Sequence, residues 1–129
     1  MLHAGHVRYL AGAREAGDRL VVAVNSDTSV RRAKGPGRPI VPENERLELL
    51  SHLRMVDVLV LFDTDTVAPV LLRLLPQVHA KGTDYTEETV PEREVVAGYG
   101  GRTVICGDPK DHSTTDQVAT ILERFGAST

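Results

Sequence analysis

The run Leu20-Val21-Val22-Ala23-Val24 constrains this chain more than any other stretch. A strand with one wet face alternates apolar and polar residues. Five consecutive apolar residues instead suit a strand covered on both faces, as in parallel sheets sandwiched between helices. The rest of the chain supplies that frame. Strand-like runs are expected at Arg19 to Asn25, Val56 to Phe62, Gln77 to Lys81 and Arg102 to Cys106. Helix-period segments lie between them. The first runs from His6 to Ala16, with Val7, Leu10 and Ala11 on one face and Gly17 as its stop. A short helix is expected from Ser26 to Ala33, and a longer one opens at Pro42 with Leu47, Leu50 and Leu53 inward. Others run from the Asp63-Thr64-Asp65-Thr66 turn to Leu75 and from Glu92 to Tyr99. A closing helix is expected from Ser113 to Phe125, with Val118, Ile121, Leu122 and Phe125 on one face. Strands alternating with helices predict an α/β fold, a doubly wound parallel sheet in three α/β/α layers. Ligands of such sheets bind beyond the carboxyl ends of the strands, so the loops there are the expected site.

At 129 residues the chain has one domain's length, enough to bury a core without disulfides or metals. Its net charge of −3 argues against a nucleic-acid binder, which would carry a basic face. The single cysteine, Cys106, sits in an apolar strand and reads as a small core residue with no internal disulfide partner. No apolar run reaches the ~18–20 residues that span a bilayer, and the first residues lack signal-peptide character. A soluble cytoplasmic protein is the default, with neither nucleic acid nor membrane as partner.

Four segments carry chemistry. His3-Ala4-Gly5-His6 stands at the mouth of the first helix, where free N–H groups and the positive dipole end favour anions. Two imidazoles there, with a glycine allowing close backbone approach, suit a phosphate; the bland alternative is two solvated histidines at a frayed end. No zinc set is expected, since no second cysteine or suitably spaced histidine accompanies them. Lys34, Arg38 and Arg46 flank the Lys34-Gly35-Pro36-Gly37-Arg38-Pro39 loop, which can close cations over a polyphosphate or simply be a solvated surface. Lys81-Gly82-Thr83-Asp84-Tyr85 follows the third strand and falls in the expected crevice, or is an ordinary turn. Ser113-Thr114-Thr115, after His112, offers hydroxyls and a helix mouth as a second anion site, or caps a helix and nothing more. Arg54 and Asp57 bracket the entry to a buried strand and are expected to be structural or to support the site from behind. His52 and His79 have no evident role.

These segments, taken in order with Val21-Val22-Ala23-Val24-Asn25-Ser26-Asp27, Gly35-Pro36-Gly37-Arg38-Pro39-Ile40 and Arg54-Met55-Val56-Asp57, resemble the cytidylyltransferase-like nucleotidyltransferases along essentially the whole chain. The loop and the Lys81 to Tyr85 segment are most similar to the heptose 1-phosphate adenylyltransferase branch, including the adenylyltransferase half of bifunctional heptose kinase/adenylyltransferases. The resemblance implies a Rossmann-like sheet and transfer of AMP from ATP, with Mg²⁺, to a sugar 1-phosphate. It implies that His3, His6 and Lys34 act on the phosphates, and that Gly5, Arg38, Lys81, Gly82, Asp84, Ser113, Thr114 and Thr115 line the nucleotide site. Two rivals stand beside it: a cytidylyltransferase using CTP and an alcohol phosphate such as glycerol phosphate, and a non-catalytic nucleotide-binding remnant. A homodimer is the expected assembly. Two departures are visible. Thr83 replaces a second glycine usual in the heptose branch. Members also carry Gly-x-Phe-Asp on a first strand ahead of the histidines, whereas this chain opens Met1-Leu2-His3. One nucleotidyltransferase domain over residues 1–129, truncated at its N-terminus and lacking its first, central strand, is therefore expected. Unpaired neighbours of that strand would cost many kcal/mol against a typical stability of ~5–15 kcal/mol.

Overall fold

In a computed structural model, which describes residues 3–107 and 120–125, the apolar run becomes strand β1 (Arg19–Asn25). All of Leu20 to Val24 are buried. The burial is two-sided. Leu20, Val22 and Val24 pack with Leu10 and Ala13 of helix α1 (Ala4–Glu15) and Leu50 of helix α3 (Glu43–Ser51). Ala23 points the other way, into a second cluster with Leu71 of α4 (Ala68–Leu74) and Val96 of α5 (Arg93–Gly98). Because successive strand residues alternate faces, one run feeds both cores. This is the expected three-layer arrangement, and Cys106 packs at the edge of the first core.

The remaining strands are β2 (Val58–Phe62), β3 (Val78–Lys81), β4 (Arg102–Ile105) and β5 (Thr120–Phe125), in the order β2-β1-β5-β3-β4. β1 pairs parallel to β2, with Val22 opposite Leu59, and β3 pairs parallel to β4, with His79 opposite Thr103. Between the two pairs runs β5, antiparallel to both β1 and β3. β1 and β3 therefore point the same way, and β1, β2, β3 and β4 all end on one edge. Helix α2 (Asp27–Lys34) leaves that edge from β1.

β5 corrects three expectations. The closing helix does not extend through residues 120 to 125, which form a strand; residues 113–119 lie outside the described residues. The sheet is consequently mixed rather than wholly parallel. The place between β1 and β3, expected to be open, is filled. The physical reason is backbone satisfaction. Two buried strands facing a gap would leave rows of N–H and C=O groups unpaired. Pairing six residues of β5 against β1 outweighs the helical period of Ile121, Leu122 and Phe125.

The amino edge is fixed by Asp57. Its carboxylate accepts from the Leu20 amide at 2.7 Å and pairs with Arg14 Nε at 3.2 Å, tying the end of α1 to the start of β1. Arg54, the partner suggested by sequence proximity, is exposed in the preceding turn.

His79, in the sheet interior, is fully buried, and neither ring nitrogen has a hydrogen-bond partner among the described residues. Loss of hydration, helped by the nearby Lys81 charge, pushes its pKa down from 6.5 to about 3. The unfolded chain takes up this proton near pH 6.5, whereas the folded chain refuses it until about pH 3. Stability therefore falls as pH drops through that window, by up to about 1.4 kcal/mol per pH unit, and His79 adds no slope above it. His79→Leu is expected to raise stability by about 1–3 kcal/mol by removing two orphaned polar atoms. Urea unfolding at pH 4, 5, 6 and 7 checks both: the variant should be more stable and its profile flatter. A variant with the parent's slope would show that His79 is not the titrating group.

Candidate functional site

The mouth of α1 lies beyond the carboxyl edge of the sheet. Arg14, near the helix end, reaches Asp57 at the amino edge. One and a half turns earlier, the Tyr9 hydroxyl donates to the Ala80 carbonyl of β3 at 3.2 Å. A Cβ placed on Gly107, just past β4, would stand 3.3 Å from Tyr9 Cβ. Residues 3–6 lie about one turn further out along the helix, at ~1.5 Å per residue.

There the two histidines cap the helix reciprocally. His3 is the N-cap, with extended backbone, and its Nδ1 accepts from the Gly5 amide at 3.0 Å. His6 Nδ1 accepts from the His3 amide at 3.2 Å. Both Nδ1 atoms thus act as acceptors, so in the neutral rings the proton sits on Nε2. The ring centroids are 4.1 Å apart and tilted by 44°. The result is a pair of adjacent N–H donors at the positive end of a helix dipole, the chemistry of an anion site. Gly5 is required by the same geometry: a Cβ there would lie 2.8 Å from His3 Cε1 and 3.0 Å from His3 Nδ1.

The Lys81-to-Tyr85 segment follows β3 on the same edge. The Lys81 ammonium sits 4.7 Å from the centre of the Tyr85 ring, which holds the lysine stem beside the turn. A Cβ on Gly82 would meet nothing within 4 Å, so the space beside its backbone is open for a ligand to approach. Asp84 lies two residues on, in the same turn.

The loop after α2 carries Lys34 at the helix end and Arg38 between two prolines. Gly35 and Gly37 have φ of 92° and 87°, a conformation open to glycine and strained for other residues. Arg46, expected beside these cations, is elsewhere. It is 1% exposed. Its Nη2 donates to Asp27 Oδ1 at 3.0 Å and its Nε to the Val41 carbonyl at 3.1 Å. A guanidinium this deep is a structural anchor, because leaving it unpaired would be costly. Sequence reading missed this group, since Asp27 and Arg46 lie on different helices with the loop between them. Nearby, Ser26 donates to Asp63 and Arg32 pairs with Asp65 at 2.8 Å, fastening α2 to the loop after β2.

His112, Ser113, Thr114 and Thr115 lie outside the described residues, so only the α1 half of the expected two-mouthed anion site is visible. Among the described residues, no group of three or more His, Cys, Asp or Glu gathers as a metal-binding set. No helix among them is long and apolar enough to cross a membrane.

The cytidylyltransferase-like family model matches residues 1–128. The "Bifunctional protein HldE" of Syntrophotalea carbinolica is 45% identical over 125 residues, and that of Alcanivorax borkumensis is 49% identical over 124. These matches cover 97% and 96% of this chain but 26% of each relative, so the chain spans about a quarter of their length. The crystal structure of the lipopolysaccharide core biosynthesis protein from Thermoplasma volcanium GSS1 superposes with a TM-score of 0.72 at 28% identity. That match covers 85% of this chain and 90% of the other.

If the imidazole pair is the anion grip, Gly5→Ala should act on binding and spare the fold. The methyl would displace the His3 ring, while alanine slightly favours the helix. Tripolyphosphate binding, measured by calorimetry, is expected to weaken about tenfold, the loss of one hydrogen bond to a charged group. The unfolding free energy should move by less than ~1 kcal/mol. Unchanged binding would remove the His3 ring from the anion site.

Proposed function

The chain belongs to the cytidylyltransferase-like family, and from that premise we propose that it is an adenylyltransferase, moving AMP from ATP to a sugar 1-phosphate of the heptose type. The products are an ADP-sugar and pyrophosphate. The observation that carries this reading is the locked imidazole pair, two Nε2–H donors held side by side at a helix mouth. The matches to bifunctional HldE proteins and to a lipopolysaccharide core biosynthesis protein support a sugar phosphate over other acceptors.

The chemistry asks little of the protein in the way of bases. A phosphate monoester is already an anion near neutral pH, and one of its oxygens attacks the α-phosphorus directly. The new O–P bond forms as the bond to the β-phosphate oxygen breaks, and pyrophosphate leaves with that electron pair. Negative charge gathers on the α-phosphate oxygens during the step. Donors fixed beforehand stabilise that charge without reorganising, which is where His3 and His6 contribute. Lys34 and Arg38 would neutralise the outer phosphates, and Gly82 would let the nucleotide lie against backbone, with Lys81 and Asp84 beside it. Ser113, Thr114 and Thr115 would also bind phosphate. In this reading a divalent cation, Mg²⁺, arrives with the triphosphate and needs few protein ligands.

Pyrophosphate release tests the proposal, with ATP or CTP as donor and heptose 1-phosphate or glycerol phosphate as acceptor. The expected pair is ATP with heptose 1-phosphate, and His6→Ala should lower its turnover at least ~100-fold, by analogy with loss of one oxyanion donor. Preference for CTP and glycerol phosphate would replace the adenylyltransferase reading with the cytidylyltransferase one. Release in none of the four combinations would favour a non-catalytic nucleotide-binding module.

A further inference from the structure

We propose that Asp27, Glu43 and Arg46 form a clamp that fixes where the cationic loop 35–42 stands, which makes them positioning residues for nucleotide transfer. The clamp is an exchange of helix caps. The first residue of α2 is Asp27 and the first of α3 is Glu43. The Asp27 amide donates to Glu43 Oε1 at 2.7 Å, and the Glu43 amide donates to Asp27 Oδ1 at 2.8 Å. Each carboxylate thus caps the other helix. The cap before α3 is Pro42, whose side chain makes no cap bond, so Asp27 supplies what the local sequence lacks. Both carboxylates lie at helix N-termini, where the dipoles favour them.

Arg46 turns this exchange into a fixture for the loop. Its Nη2 holds Asp27 Oδ1, and its Nε holds the Val41 carbonyl, one residue before Pro42. Its Nη1 is buried with no partner among the described residues, so these two bonds satisfy the group only in part. A buried guanidinium is expensive and needs its partners in place. The length of the loop alone does not set its path. Residues 35–42 must return only the length of α2, ~12 Å for eight residues, yet eight extended residues reach ~26 Å. That slack, with Gly35 and Gly37 inside it, leaves many paths open. Stapling Asp27 to Glu43 and Arg46 to Val41 selects among them, and with them the place of Arg38 relative to Lys34 at the end of α2.

The inference rests on the transfer reading for its effect on the reaction, but the clamp itself can be tested without turnover. Tryptic cleavage after Lys34 needs local opening of the chain at the end of α2, so its rate reports how tightly the loop is held. In Arg46→Lys and in Asp27→Asn that cut is expected to run about tenfold faster in the unliganded chain. Cleavage after Arg19, at the start of the doubly paired strand β1, serves as the internal reference for global unfolding. Arg46→Lys should also raise KM for the nucleotide about tenfold, with a smaller change in kcat. In a Lys34→Ala/Arg38→Ala background Arg46→Lys should add nothing to KM, because the clamp acts through those cations. If Arg46→Lys does not fold, the near-isosteric Asp27→Asn gives the same readings. An unchanged cut after Lys34, or a KM effect that persists in full without the loop cations, overturns the clamp. A parent chain that transfers no nucleotide, together with the faster cut in the variants, supports the clamp and sinks the transfer reading.

Discussion

The backbone amides at the mouth of α1 decide which nitrogen of each neutral histidine ring carries the proton, and the proposed site depends on that choice. Gly5 N–H binds His3 Nδ1, and His3 N–H binds His6 Nδ1. A neutral imidazole has one donor nitrogen and one acceptor, so occupying Nδ1 as acceptor makes Nε2 the donor in both rings. Two of the amide groups that every helix leaves unsatisfied at its start are used to set the tautomers. Gly5 then follows from sterics, because any side chain at that position would stand in the His3 ring.

This arrangement needs the helix mouth to meet the carboxyl edge of the sheet, and the fold ensures that it does. Asp57 pins the far end of α1 at the amino edge, and Tyr9 pins its middle to β3. On the carboxyl edge, an exchange of caps ties the start of α2 to the start of α3 across the loop that carries Arg38. β5 closes the sheet between β1 and β3, so those strands have hydrogen-bond partners on both sides. The buried His79 marks a cost in this scaffold: two ring nitrogens with no partner among the described residues, in a layer that is otherwise largely apolar.

Much of this was legible in the residues. The unbroken run Leu20 to Val24 specified a strand buried on both faces, and burial of all five residues follows from it. The histidine motif specified a helix mouth, and α1 begins at Ala4. What escaped the sequence was long-range. Arg46 looked like a loop cation because its partner Asp27 lies 19 residues away, across a loop whose path no local pattern fixes. Asp57 looked like a neighbour of Arg54, yet Arg14 takes it from another element. Ile121, Leu122 and Phe125 have a helical spacing, but the demand of two buried strands for a partner prevails over that local preference.

The central claim is that both imidazoles present Nε2–H outward to a phosphate. Long-range ¹H–¹⁵N correlation spectra of the ring nitrogens of His3 and His6 test it most directly. The account predicts the neutral-ring proton on Nε2 in both residues, and an Nε2 shift on adding ATP with Mg²⁺ while the Nδ1 bonds to backbone persist. Protons found on Nδ1, or Nε2 signals indifferent to the nucleotide, would contradict it.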